Sequence, residues 1–276
     1  MPAGQHEDRG SDMSDSILIM DSVSKAYSAS APILKGVSFK QEPGEFLAVV
    51  GPSGCGKTTM LRCIASLMQP DEGAVLHRGL HFDNPPPWLS IVFQDYNRSL
   101  FPWLSVRQNV AFGLRDLRSA DRDERVRNAL IAVHLEHAAD LYPWQLSGGM
   151  QQRCALARSI VVQPSLLLLD EPFASVDAQT RIDLQDMVME ICKTMSLSAL
   201  LVTHDIDEAV FMADKVVVLS TRPARVVEEI TIDLPRPRDQ LVTKESPEFL
   251  RLRHHVYTLV RQQAKTNAVE TLTERL

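Results

Sequence analysis

Three short stretches of this 276-residue chain carry residue types suited to phosphate chemistry. The first is Gly51-Pro52-Ser53-Gly54-Cys55-Gly56-Lys57-Thr58-Thr59, which meets G-x-x-x-x-G-K-[ST] at every fixed position. Glycines let successive backbone N–H groups turn inward around phosphate oxygens. Lys57 is placed for the β- and γ-phosphates, and the Thr58 hydroxyl for one position on Mg²⁺. The second stretch is Leu166-Leu167-Leu168-Leu169-Asp170-Glu171. Asp170, at the end of an apolar run, suits Mg²⁺ directly or through water, and Glu171 is placed to take a proton from, or orient, an attacking water. The third is Leu146-Ser147-Gly148-Gly149-Met150, just ahead of a helical pattern. Its glycines and helix N-terminus favour an anion, while Ser147 serves equally well as a plain N-cap. If it is a phosphate surface, one chain holds two such surfaces for one nucleotide. A head-to-tail dimer resolves that excess.

The elements that must position these residues can be read around them. Phe46–Val50 is an apolar run that predicts a buried strand in front of the glycine loop, and Met60–Met68 has apolar residues at helical spacing. Leu89–Phe93 predicts a strand ending at Gln94, and Leu166–Leu169 a fully buried one of the parallel type. Gln151–Val162 and Ala178–Met195 read as helices, Ser198–Val202 as a strand ending at Thr203-His204-Asp205, Asp207–Ala213 as a short helix and Lys215–Ser220 as another strand. This alternation predicts an α/β fold with a mostly parallel sheet. The stretches Ser16–Val23 and Ile33–Phe39 suggest a small antiparallel β layer beside the nucleotide. The charged pattern from Ser105 to Ala139 suggests a helical region with a solvated face. Residues 221–245, rich in Pro and Arg, read as an extended tail laid over the surface, and Ser246–Lys265 as a last helix.

Bulk properties narrow the function classes. A net charge of −6 argues against a general nucleic-acid binder, although a local basic patch stays open. The four cysteines, at 55, 63, 154 and 192, form no C-x-x-C, which argues against a zinc site and fits a reducing cytosol. The polar, acidic start lacks the apolar core of a signal peptide, and no apolar run reaches about 18 residues. Membrane association is therefore expected only through a partner.

From about Ile17 to about Arg225 the chain resembles the ATP-binding cassette ATPases. Five motifs match in order: Gly51–Thr58, Gln94, Leu146–Met150, Leu166–Glu171 and His204. The resemblance implies a P-loop NTPase sheet core with an antiparallel β subdomain and an α-helical subdomain at about 97–160. Residues 1–15, rich in Gly, Ser, Asp and Glu, read as a disordered start. The resemblance then sets an ATPase domain at 16–225 ahead of a C-terminal extension at 226–276. It implies that ATP and Mg²⁺ are bound, with Tyr27 stacked on adenine and Gly51 to Thr59 around the phosphates. Thr58, Gln94 and Asp170 would be at the metal, Glu171 would be the catalytic base, and His204 would steady the attacking water. Ser147, Gly148, Gly149 and Gln151 would contact the nucleotide of the second subunit, and Asp177 would belong to a loop crossing the dimer interface. Met150 stands where many relatives have Gln, and Ala174-Ser175-Val176-Asp177 departs from the commoner small-Ala-Leu-Asp.

Within that family the chain looks like importer ATPases of the nitrate, sulfonate and taurine group. The grounds are Phe93-Gln94-Asp95-Tyr96, Leu100-Phe101-Pro102-Trp103, Gly148–Arg153 and Leu234-Pro235-Arg236-Pro237-Arg238. The implied partners are a second ATPase subunit, an integral-membrane permease and a solute-binding protein, with no nucleic acid. The implied place is the cytoplasmic face of the inner membrane, as a peripheral subunit. Phe101 and Trp103 are then candidates to grip the permease, or else to fill the helical subdomain. The rival expectation is a soluble cassette ATPase acting on nucleic acid or ribosomes. Such proteins usually carry coiled coils, zinc motifs or tandem cassettes, none of which is legible here.

Overall fold

The computed structural model describes residues 16–28, 31–95 and 99–273, with side chains as far as residue 264. The expectations for residues 1–15, for part of the loop before Pro32 and for Tyr96 lie outside those residues.

The central layer is a six-stranded sheet. Its members are β3 (Phe46–Val50), β6 (Leu89–Val92), β7 (Leu166–Asp170), β8 (Ser198–Val202), β9 (Lys215–Leu219) and β10 (Val226–Thr231), in the order β10-β9-β3-β8-β7-β6. All neighbouring pairs are parallel except β10 with β9. The unbroken apolar runs of β3, β7, β8 and β9 follow from burial on both faces. Phe46, Ala48, Val50, Leu167, Leu169, Ala199, Leu201, Val216 and Val218 face one core. Leu47, Val49, Leu166, Leu168, Leu200, Val202, Val217 and Leu219 face the other.

The second core is closed by α1 (Lys57–Ile64) and by a four-stranded antiparallel sheet. That sheet runs β2-β1-β4-β5, with β1 Leu18–Ala26, β2 Pro32–Gln41, β4 Glu72–His77 and β5 Leu80–His81. The first core is closed by helices: α2 (Val106–Ala111), α3 (Ser119–Ala132), α4 (Gly148–Ile160), α5 (Ala178–Met195), α6 (Ile206–Met212) and, after the short α7 (Val242–Glu245), the long α8 (Pro247–Thr273). The expected helical region from Ser105 to Ala139 is broken into α2 and α3. The Ser105 hydroxyl and the Gln108 side chain form a capping box that starts α2.

Two boundaries move for local reasons. The first helix begins at Lys57 rather than Met60 and ends at Ile64, where Ala65 and Ser66 leave the helical path, Ser66 with φ 53°. The signature helix α4 begins at Gly148, because Ser147 caps it with its hydroxyl on the Met150 N–H at 3.3 Å.

The tail needs a larger correction. Residues 226–231 are not laid over the surface. They pair antiparallel with β9 and extend the sheet by one strand. Beyond β10, Ile232 and Leu234 are buried, and Phe249, Leu252 and Val256 of α8 enter the same core as α6. The boundary expected at 225/226 therefore falls between two hydrogen-bonded neighbours. Arg236 and Arg238 complete the joint. Arg238, with a side chain 1% exposed, donates to the carbonyls of Phe211 and Ala213, and Arg236 donates to Met212 and Asp214. Guanidinium groups on the last carbonyls of α6 satisfy acceptors that the helix cannot.

Among the described residues no helix is long and apolar enough to cross a membrane. The four cysteines are free and buried.

Candidate functional site

The carboxyl ends of the parallel strands β3, β7 and β8 bring the candidate residues to one edge of the sheet. Such an edge is where ligands bind in open α/β folds. From β3 the chain enters the loop Gly51–Gly56 and then α1. Gly56 takes φ 123° with Ile33 close by: a Cβ there would lie 2.7 Å from Ile33 Cγ2, so only glycine fits. No side chain caps α1. Its first-turn N–H groups are thus left to an external acceptor, as an anion site requires. Lys57 is 6% exposed, and its ammonium donates to the carbonyls of Gly51 at 2.9 Å and Pro52 at 3.2 Å. The cation is thereby held over the loop.

Asp170 ends β7 beside this loop and is almost fully buried. Burial pushes its carboxyl up from the usual value, and the neighbouring Glu171 pushes it the same way; a hydrogen bond from Thr58 and the charge of Lys57 pull it down. The group is therefore a carboxylate short of positive charge, next to a hydroxyl. A buried carboxylate bonded to a hydroxyl supplies oxygen donors of the kind Mg²⁺ accepts when phosphate supplies further ligands.

Glu171 follows with φ 45°, a left-handed conformation that is uncommon for a residue with a long side chain. Its N–H binds the carbonyl of Val202 on β8 at 2.8 Å. This turns the side chain toward the residue two positions past that strand. His204 Nδ1 lies 2.9 Å from Glu171 Oε2, and Gln94 Nε2 lies 3.5 Å from the same oxygen. Strained backbone of this kind concentrates at functional sites. Gln94, Glu171 and His204, far apart in sequence, thus converge on one point.

Tyr27 is 56% exposed at the end of β1, so it is not a core tyrosine. Its hydroxyl lies 3.1 Å from Thr59 Oγ1, which sets its ring beside the start of α1.

Ser147 and Gly148 are exposed at the start of α4. Gln151 turns back: its amide donates to the carbonyls of Pro143 and Leu146, and so braces the preceding loop. Asp177 caps α5, accepting from the Thr180 N–H at 3.0 Å and the Thr180 hydroxyl at 2.7 Å. Those bonds hold its carboxyl below the usual range.

Phe101 and Trp103 divide. Phe101 is half-buried, packed 4.3 Å from the Phe112 ring with the Arg158 guanidinium near its face, whereas Trp103 is 69% exposed. Buried Asn109 stitches their loop through the backbone of Phe101, Leu104 and Ser105. Tyr142 and Trp144, stacked with ring centres 6.1 Å apart, add exposed aromatic surface.

Several participants were not legible as site residues. Thr203, Glu208 and Arg181 surround a cavity of about 50 Å³ behind Glu171 and His204. The sequence reads Thr203 and Asp205 only as the end of the Ser198–Val202 strand around His204; the Asp205 side chain in fact caps α6. A cleft of about 850 Å³ lies elsewhere, bordered by Phe46, Asp214, Arg236 and Arg238 at the opposite ends of β3 and β9. Size does not locate the chemistry here, because the nucleotide edge is an open face.

The family model for ABC transporters matches residues 34–174. The chain belongs to that family. It is 43% identical over 237 residues to the nitrate import ATP-binding protein NrtC of Synechococcus elongatus, and 44% identical over 237 residues to the bicarbonate transport ATP-binding protein CmpC of the same species. Each alignment covers 84% of this chain but only 36% and 35% of those proteins, so the chain spans about a third of their length. An uncharacterized ABC transporter ATP-binding protein of Methanocaldococcus jannaschii is 45% identical over 233 residues, covering 83% of this chain and 85% of that one. Among solved structures, the cbiO1 protein of Clostridium perfringens, part of an ABC transporter complex, superposes with a TM-score of 0.73 at 30% identity, over 79% of this chain and 89% of that one. A dimeric ATP-binding cassette in a post-hydrolysis state, bound to ADP and Pi, superposes at 0.68 with 29% identity, over 78% and 98%. The cassette ATPase domain and its P-loop NTPase fold, expected from the motifs, are thus shared with these proteins.

Proposed function

We propose that this chain binds and hydrolyses ATP as the motor subunit of a solute importer, in a dimer that closes on two nucleotides. One observation carries the hydrolytic part: the contact of His204 with Glu171 at the edge that holds Lys57, Thr58 and Asp170.

The roles follow from chemistry. Loop N–H groups from Gly51 to Thr59 and the Lys57 ammonium take the β- and γ-phosphates, with the α1 dipole in support. Tyr27 offers its exposed ring to the adenine. Thr58, Gln94 and Asp170 would hold Mg²⁺, which when bound neutralises charge on the β- and γ-phosphates. Glu171 accepts the proton of the attacking water, and His204 holds the carboxylate and the γ-phosphate side in line. Positioning and charge supply most of phosphoryl-transfer catalysis, so few groups need move.

Half of each site comes from a second copy. Ser147, Gly148 and Gly149 present a hydroxyl and uncommitted N–H groups at the start of α4, and the exposed Asp177 loop lies alongside. Gln151, committed to its own loop, acts by holding Ser147 in place. Closure brings these donors to the γ-phosphate of the partner's ATP, and hydrolysis removes the bridge. The exposed Trp103, with Phe101 beneath it, is the surface offered to a membrane permease at the site's Gln94 end. Cassettes of this kind work with a solute-binding protein and sit on the cytoplasmic side of the membrane as peripheral subunits. The names of the relatives favour a small anion such as nitrate or bicarbonate, with sulfonates and taurine as the next class.

The test is Glu171→Gln in the purified chain. The expected result is retained ATP binding, turnover lowered at least ~100-fold and an ATP-dependent dimer on size-exclusion chromatography. Hydrolysis at the wild-type rate would remove Glu171 as the base.

A further inference from the structure

His204 projects from a short loop, and both of its chain neighbours are tied down from behind. The Thr203 hydroxyl donates to Glu208 Oε2 at 2.7 Å and accepts the Asp205 N–H at 3.0 Å. Asp205 in turn caps α6 through the N–H groups of Asp207 and Glu208. The orientation of His204 therefore depends on where Glu208 and Asp205 are held.

One cation serves both. Arg181 Nη1 lies 3.8 Å from Asp205 Oδ2, and its Nε lies 3.9 Å from Glu208 Oε1. Glu208 has a side chain only 7% exposed. Burial pushes its carboxyl up, while the Thr203 hydrogen bond and Arg181 oppose the shift. A buried carboxylate next to a second carboxylate is costly unless a cation faces it. Arg181 lines the same small cavity as Glu171 and His204, and the carboxylates its guanidinium faces there are those of the loop, Asp205 and Glu208.

Arg181 is also fixed to a second element. It lies in the first turn of α5, where its N–H binds the Asp177 carbonyl at 2.9 Å. The residue before it, Thr180, abuts the start of α4: a Cβ on Gly149 would come within 2.5 Å of Thr180 Cγ2. Packed interiors transmit such displacements because they have little free volume. The Gly149–Thr180 contact thus joins the start of α4 to the turn of α5 that carries Arg181.

We infer that Arg181, acting through Asp205 and Glu208, is a positioning residue for His204, and that it ties His204 to the Gly149–Thr180 contact within the same chain. This rests on the ATPase reading above. It adds that the surface each chain offers to its partner's nucleotide is mechanically linked to that chain's own hydrolytic histidine.

The test is a double-mutant cycle in the full chain, read by steady-state and single-turnover ATP hydrolysis, by the binding of a fluorescent ATP analogue and by thermal unfolding. Arg181→Met should lower kcat about 10- to 100-fold while the analogue's Kd stays within about 2-fold of wild type. Arg181→Lys, which keeps the charge, should recover part of that loss. In a His204→Ala background, Arg181→Met should cost nothing further. Glu208→Gln should follow the same pattern and carries the test if Arg181→Met does not fold. A wild-type kcat in Arg181→Met, a full additional loss on top of His204→Ala, or a loss expressed only in Kd or melting temperature would each overturn the inference. The ATPase reading is tested separately: it falls if the wild type does not hydrolyse ATP, or if Glu171→Gln and His204→Ala both turn over normally.

Discussion

Gly149 and Thr180 meet where the first turns of α4 and α5 cross, so closely that a Cβ on Gly149 would lie 2.5 Å from Thr180 Cγ2. Gly149 stands in the helix with φ below zero, so conformational freedom is not what requires glycine there. The requirement is space. The same contact ties the exposed Ser147–Gly148 surface to the loop of Asp177, whose carboxylate binds Thr180 through both N–H and hydroxyl.

Gly149→Ala should therefore destabilise the chain by about 1–3 kcal/mol through overpacking. Thr180→Ser removes the crowded methyl and keeps the hydroxyl on Asp177. Chemical denaturation should show the double variant closer to wild type than Gly149→Ala alone. Equal destabilisation in both would mean that the methyl is not the obstacle.

Tyr27 should matter through its ring. Its hydroxyl contact with Thr59 is part-exposed and expected to contribute little. Tyr27→Phe should bind ATP within about 3-fold of wild type, whereas Tyr27→Ala should lose about 1–3 kcal/mol, the range for a base stacked on an aromatic ring. Isothermal titration with ATP separates the two. Identical losses would assign the effect to the hydroxyl instead.

Asp170 trades stability for chemistry. Its folded carboxyl is raised, chiefly by burial and then by Glu171. A raised carboxyl favours the protonated form of the folded state, so its contribution is most favourable below the unfolded carboxylate value and is lost as pH rises through the folded one. At pH 7, without nucleotide or metal, Asp170→Asn should melt above wild type, and the gap should close as the pH falls below the usual aspartate range. Its turnover should be lost. A lower melting temperature at pH 7 would show that Thr58 and Lys57 outweigh burial.

Arg238 should behave as a structural cation. Arg238→Met leaves the Phe211 and Ala213 carbonyls unpaired at the end of α6 and should cost about 2–4 kcal/mol in a denaturant titration. Arg238→Lys reaches fewer acceptors and should fall between the two. An unchanged midpoint in Arg238→Met would make the tail's packing independent of this residue.

Much of the fold and site was legible because it is spelled locally. The glycine spacing with Lys57-Thr58 dictates a phosphate loop, and strands buried on both faces must be apolar at every position, so Leu166–Leu169 and Ser198–Val202 announced themselves. The cap at Ser147 follows from its own side chain reaching an N–H group three residues on, whereas the Asp177 cap is seen only in the structure. What sequence alone determined is thus the set of nucleotide motifs, their order and the α/β class. Only the tertiary structure decided that His204 touches Glu171, that Arg181 faces Glu208 and Asp205, that Gln151 braces its own loop and that the Arg-rich tail adds a strand and buries Arg238. Those relations join residues far apart in the chain. They arise from the parallel order of β3, β8 and β7 and from helices packed on one face of that sheet, and local spacing carries no record of them.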